Sequence, residues 1–251
     1  MLSTVPYASL LVSPLISRLF VLTKEQSWTN MGGQSPILVD WKERMPRFKE
    51  EERARVKGET RTALLEAAAL EFAREGYNGA NINRISTAAG YAKGTIYNYF
   101  ESKRALMQAL IEDTAAMHLA YLNERVLQTE MADRRLEVFF IAGFEFVSAH
   151  LARGRAIVNN LYGPDVGFKD AMYQAYLPIF ELVGHDILAL GLEQEIFTRM
   201  DPTTMSTLVM LIYLGVAAQI SPEGRPWLDA HLVAGFAVRG LRIQPEERQP
   251  A

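Results

Sequence analysis

From residue 45 onward, apolar residues recur at steps of three and four, the period of a helix that buries one face, and no run alternates apolar and polar as a half-buried strand would. Residues 58–75 place Leu65, Ala68 and Phe72 on one face, and Gly76 stands where a left-handed C-cap belongs. Asn81 is positioned to N-cap a short helix carrying Ile82, Ile85 and Ala89, which Gly90 closes. A third short helix is expected from about Lys93, anchored by Ile96 and Phe100. Ser102 caps a fourth, running to about Arg125 with Leu106, Leu110 and Met117 near one face. Amphipathic segments follow at roughly 134–152, 154–162, 168–190, 202–219 and 226–241. Their breaks are Gly163-Pro164, Asp201-Pro202 and the turn from Ser221 to Pro226.

The pattern predicts an all-α fold in four stretches: a leader or disordered segment over 1–45, a three-helix domain over 46–105, a helical domain over 106–243 and a polar tail over 244–251. Within the leader, Tyr7 to Leu22 is apolar, but it lacks a preceding basic region and a following cleavage site, and Pro14 and Arg18 interrupt it. It is also too short to span a bilayer. The native start is expected at Met45 or Met31. Residues 46–61 set six basic residues among four glutamates, a solvated arm leading into the first helix.

Composition changes this picture little. The chain has 251 residues, 49% hydrophobic and 22% charged, enough to bury a real core. Without a cysteine, disulfides, thiolate zinc sites and cysteine nucleophiles are excluded. A net charge of −3 does not advertise a nucleic-acid binder, but a DNA-binding face needs only a local basic patch.

Two short helices joined by a tight turn through Gly90-Tyr91-Ala92 make the arrangement of a helix-turn-helix. Along the second of them, Lys93 to Lys103, only Ile96 and Phe100 read as buried. The rest offer hydroxyl, amide, phenol and ammonium groups, which reach phosphates and base edges. Gly94 inside a helix would cost about 1 kcal/mol relative to alanine, a cost that makes sense where a DNA backbone comes close. Lys93 at one helix start, and Lys103 with Arg104 at the next, place cations where the macrodipole favours acids, which points to an external phosphate.

At these residues the sequence resembles the TetR (tetracycline repressor) family. The matching stretch runs from Arg61 to Leu110 and includes Gly76-Tyr77, Ala88-Ala89-Gly90, Lys93 to Phe100 and Ser102-Lys103. The resemblance implies that Thr95, Tyr97 and Asn98 face the major groove of operator DNA, and that Lys93 and Lys103 hold phosphates. It also implies that Asn81 contacts the DNA backbone; Gly94 and Tyr99 belong to the same candidate surface. Three residues depart from the family pattern. Ala92 stands where a serine or threonine cap is usual, so the third helix is expected to fray; Tyr91 replaces a smaller apolar residue, and Asn83-Arg84 replaces a basic-acidic pair.

Beyond residue 110 the resemblance rests on length and helical character. Met205 to Ala218 is apolar nearly all round, so both of its faces must be covered. Leu228, Leu232, Phe236 and Gly240 repeat at a spacing of four, and pairing the two helices with their symmetry mates would give a four-helix homodimer interface. A ligand pocket is expected among Phe140, Phe144, Tyr173 and Tyr176, with Asn159-Asn160 as an amide pair that needs partners; aromatics at helical spacing also read as simple core. The family resemblance implies a small-molecule effector. The four histidines show no metal-binding spacing, and no hydrolase, phosphate-loop or dinucleotide motif occurs. The expectation is therefore a cytoplasmic, homodimeric regulator without catalytic residues, metal, cofactor or membrane partner. The alternative is a helical binding protein or enzyme acting through the C-terminal pocket.

Overall fold

The computed structural model describes residues 41–161, 166–219, 221 and 227–243, with 41–48, 160, 161, 166 and 167 in backbone only. Most of the expected leader, up to residue 40, lies outside the described residues, as do the tail from residue 244, Gly163-Pro164 and most of the Ser221–Pro226 turn. Met1–Glu50 form one unit, of which Trp41 onward is helical, and Glu51–Ala251 form a second. Among the described residues the regular structure is helical, apart from one bridge between Phe197 and Arg242.

Helix α1 spans Trp41–Gly79, with Gly76 in the left-handed region (φ 66°, ψ 174°) inside its last turn, the conformation for which glycine carries no steric penalty. Helix α2 (Ile82–Ala88) begins where the Asn81 carboxamide oxygen accepts from the N–H groups of Asn83 and Arg84, satisfying two donors the helix start would otherwise leave open. The Ser102 hydroxyl does the same for Ala105 at the start of α3 (Lys103–Val126). Then come α4 (Ala132–Ala149), α5 (Leu151–Leu161) and α6 (Val166–Glu181). A wide π-helical stretch (Leu182–Ala189) leads into α7 (Leu190–Glu193), followed by α8 (Pro202–Ala217) and α9 (Ala230–Leu241).

Two apolar cores organise the body. Leu64, Leu65, Ala68 and Phe72 of α1, Ile85, Ile96, Phe100, and Leu106, Met107, Leu110 and Ile111 of α3 form the first, completed by Ala156, Ile157 and Phe168 from α5 and α6. The second gathers Leu122 and Val126 of α3 with apolar residues from α4, the π stretch, α8 and α9. Helix α3 therefore serves both, and the expected boundary at residue 105 falls where that shared helix starts. Residues 168–193 are long and apolar enough to cross a membrane by composition, but Ile179, Leu182, Val183, Ile187 and Leu188 are packed into the second core.

Candidate nucleic-acid interface and ligand chamber

The DNA-binding head is built on a buried frame. Ser86, fully buried on α2, accepts from the backbone N–H of Ile96 at 3.4 Å, and the Tyr91 N–H donates to the Ser86 carbonyl at 2.9 Å. These bonds tie the turn through Gly90 to the segment after it. Glu71, buried on α1, accepts from the Asn81 backbone N–H, from two nitrogens of Arg84 and from Arg74. Burial alone would raise the Glu71 carboxyl; the Asn81 N–H and the two arginines outweigh it and hold it below the ordinary carboxylate value. One carboxylate thus fixes where α2 starts relative to α1.

The third helix is shorter than the periodicity predicts. It is a single 3-10 turn over Thr95–Asn98, with Gly94 as its N-cap at φ 92° and no side-chain cap. The reason is local: Ala92 supplies no capping oxygen, and a left-handed Gly94 cannot belong to a helix interior. Two expectations change with it. Gly94 is required by its own backbone conformation, and a Cβ there would meet open space within this chain. Lys93 precedes the turn instead of opening a helix, and four residues carry little macrodipole, so the electrostatic argument for a phosphate at that terminus lapses.

The turn nevertheless presents what groove contact needs. Ile96 and Phe100 are buried, while Lys93, Tyr97 and Asn98 stand exposed beside one another, with Asn81 exposed at the start of α2. Thr95 and Gly94 are half-buried. Tyr99 packs inward against the first core, its ring 6.5 Å from that of Phe100. Lys103 is also differently employed: its Nζ donates at 3.0 Å to the carbonyls of both Asn78 and Ala80 and lies 5.1 Å from the centre of the Tyr77 ring. An ammonium has three donors, so two of them close the α1–α2 turn. Lys103→Met is expected to destabilise the protein by about 1–2 kcal/mol, measured by denaturant unfolding. Unchanged stability with the salt slope of DNA binding lowered by about one would place the charge on phosphate instead.

The ligand expectation is corrected in part. Phe139, Phe140 and Phe144 are fully buried core, and Phe144 stacks on Tyr213 at 5.1 Å with the rings 4° from parallel. Gly143 makes room for this, because a Cβ there would lie 2.5 Å from the Tyr213 ring. Asn159 is exposed and lines a separate, smaller cavity of about 210 Å³, and the side chain of Asn160 lies outside the described residues. Tyr173 and Tyr176 do line a chamber of about 440 Å³, enclosed by α3, α4, α5, α6 and α8. Its polar lining was missed at the sequence level. His118 is buried on α3 and shares a 3.2 Å hydrogen bond with the Tyr213 hydroxyl. Burial, helped by nearby His150, pushes the imidazole down to about 4, so His118 is neutral at pH 7. Burial raises the hydroxyl of Tyr176 against the opposing charge of Arg153. A polar residue at one position of an otherwise apolar helical face was the available signal for His118.

Arg153, next in the chain to the lining residue Gly154, is fully buried on α5. Its Nε and Nη2 donate to Glu66 of α1, and its Nη1 donates to Asp113 and Thr114 of α3. The guanidinium therefore joins the DNA-binding head, the shared helix and the chamber wall.

A capped helix, a glycine turn and an exposed basic, phenolic and amide turn on a buried anchor define a helix-turn-helix DNA-binding regulator. Residues 64–110 match the family described as bacterial regulatory proteins, tetR family. The HTH-type transcriptional regulator UidR of Escherichia coli is 26% identical over 183 residues, covering 73% of this chain and 89% of UidR. The HTH-type transcriptional repressor KstR2 of Mycobacterium tuberculosis is 31% identical over 93 residues, 37% of this chain and 46% of KstR2. The solved structure of the fatty acid degradation regulator FadR from Bacillus halodurans superposes with a TM-score of 0.64 at 17% identity, covering 72% of this chain and 93% of FadR. FadR from Bacillus subtilis, solved in complex with stearoyl-CoA, gives 0.62 at 16% identity over 71% and 95% of the two chains. Residues 64–110 thus carry the DNA-binding head of the tetR family, and the relatives that extend beyond it are transcriptional regulators.

Proposed function

We propose that the protein is a cytoplasmic homodimeric repressor that holds a palindromic operator through its two heads and releases it when a small molecule enters the chamber. It carries no catalytic role and needs no metal, cofactor or membrane. The carrying observation is the exposed group of Lys93, Tyr97 and Asn98 on a turn anchored by buried Ile96 and the Ser86 hydroxyl. Tyr97 and Asn98 are assigned to base edges, and Lys93 and Asn81 to phosphates. The Asn81 oxygen is engaged in capping, which leaves its NH₂ group for that contact. KstR2 is named a repressor, and the FadR structure with stearoyl-CoA shows a similar fold holding a small molecule; both support a ligand-released repressor here.

The homodimer is supported by α8, α9 and the residues just before α9. Leu208, Leu211, Trp227, Leu228, Leu232 and Phe236 are exposed, and the Trp227 N–H donates to the Gln219 carbonyl, holding this segment against the end of α8. A second chain would cover that surface, and a two-fold operator requires a two-fold protein. Effector binding then acts by favouring one spacing of the two heads over another.

The test is a pull-down of genomic DNA with the full chain, followed by sequencing. A short palindrome is expected, bound more weakly by Asn98→Ala by about 1–3 kcal/mol with a changed base preference. No enriched site at low salt would overturn the operator reading, and an unchanged preference would move the groove-facing side away from Asn98.

A further inference from the structure

We propose that the chamber selects an uncharged, mainly apolar molecule that presents a hydrogen-bond acceptor to the hydroxyl of Tyr176. This deepens the effector reading and rests on it.

The walls decide the body of the ligand. Val147, Ile157, Met172, Ile179, Met210 and Leu214 make most of the lining apolar. A volume of about 440 Å³ lies in the ordinary range of small-molecule sites. Water filling such walls is poorly held, so apolar contact supplies the attraction.

The polar groups decide the rest. The hydroxyl of Tyr213 and a ring nitrogen of His118 satisfy one another, and His118 is neutral. The Tyr176 hydroxyl has no hydrogen-bond partner among the described residues, and Tyr176 lines the cavity. Tyr176 is half-buried at the cavity wall, and a hydroxyl at an apolar wall gains most from a molecule that pairs with it. Because burial keeps this phenol protonated, the complementary group is an acceptor such as a ketone, ester or ether oxygen.

Among the described lining residues the one fixed cation is Lys169, which is exposed and has Asp170 beside it in the chain. Arg153, whose charge is felt at Tyr176, has four of its N–H groups directed to Glu66, Asp113 and Thr114. Arg155 lines a separate, smaller cavity of about 210 Å³ and donates to the Ser221 carbonyl. An ionised carboxylate or sulfonate inside the apolar chamber would lose its hydration without gaining a partner.

The experiment compares two naphthalene probes of similar bulk: prodan, a neutral ketone, and anilinonaphthalene sulfonate, an anion. Prodan is expected to bind with an emission typical of an apolar, hydrogen-bonding site, and the sulfonate to displace it at least tenfold less well than unlabelled neutral naphthyl ketones. Tyr176→Phe should weaken prodan about two- to tenfold and move its emission to the blue, as the hydrogen bond to the carbonyl is lost. Val158→Trp, projecting from the α5 wall, should abolish binding; Leu214→Trp does the same from α8 if the first variant does not fold. Equal displacement by the sulfonate, or a Tyr176→Phe protein with unchanged affinity and emission, would overturn the proposal. So would prodan binding that survives both tryptophan variants. Operator occupancy is followed separately by anisotropy of labelled DNA. Prodan in the chamber with DNA still held would sink the effector reading while leaving the ligand class intact.

Discussion

Stripping the countercharges from Arg153, by Glu66→Gln together with Asp113→Asn, should destabilise the protein by about 3–5 kcal/mol. Arg153→Met should cost clearly less. The asymmetry follows from exposure. The Arg153 side chain is 2% exposed, whereas those of Glu66 and Asp113 are 54% and 29% exposed. Removing the carboxylate charges leaves a buried cation with neutral acceptors only, the two amides and the Thr114 hydroxyl. Removing the cation leaves carboxylates that water already reaches, and Asp113 keeps Arg61 at 3.4 Å. Thr114 keeps its own bond to the Leu110 carbonyl. Denaturant unfolding of the two variants side by side measures the difference, and equal losses would show that packing, not charge, dominates at this position. Because the guanidinium bridges α5 to α1 and α3, Arg153→Met should also retain operator binding while losing part of its response to a chamber ligand.

The second large effect concerns the α9 face. If the proposed homodimer forms through this face, Phe236→Glu should yield monomers and abolish operator binding while leaving the monomer folded. Phe236 is 65% exposed in the single chain, so a carboxylate there stays hydrated. In a two-fold interface every residue counts twice. Losing roughly 1.5–3 kcal/mol of apolar burial per ring would raise the dimer dissociation constant on the order of a hundred- to ten-thousand-fold. Sedimentation reads this directly, with circular dichroism to show retained helix content. An unaltered dimer would move the interface elsewhere. Ala234, fully buried on the opposite side of the same helix, is the contrast: a carboxylate there should unfold the protein.

The head was largely legible because its signals are local. Gly76 and Gly90 have positive φ, Asn81 and Ser102 cap as their chemistry directs, and Ile85, Ile96 and Phe100 are buried at the helical spacing. The absent cap at Ala92 was legible too, and its consequence is a third helix reduced to one turn. What an exposed-looking polar side chain does was not legible. Lys103 reads as a free cation, yet its reach of several bonds lets it find two carbonyls more than twenty residues earlier in the chain.

The chamber was legible only as an aromatic-rich region. Phe140, Phe144, Tyr173 and Tyr176 share one periodicity, but period says which face is buried and nothing about whether a neighbour fills the space beside it. Tyr213 fills it for Phe144, because Gly143 lets the ring lie flat, whereas Tyr176 borders the chamber and meets His118 edge-on. The same limit applies to Arg153, whose three partners come from two other helices.

By itself, then, the sequence determined most of the helices, the caps at Asn81 and Ser102, the helix-turn-helix and the apolar face along Leu228, Leu232 and Phe236, since each depends on neighbours within four residues. Only the tertiary structure decided that Lys103 staples a turn, that Glu71 seats α2, that Arg153 is buried among distant carboxylates and that a chamber stands open at Tyr176. The physical reason is range: caps and periodicity act over one helical turn, whereas ion pairing and cavity formation depend on which side chains distant segments bring to the same place.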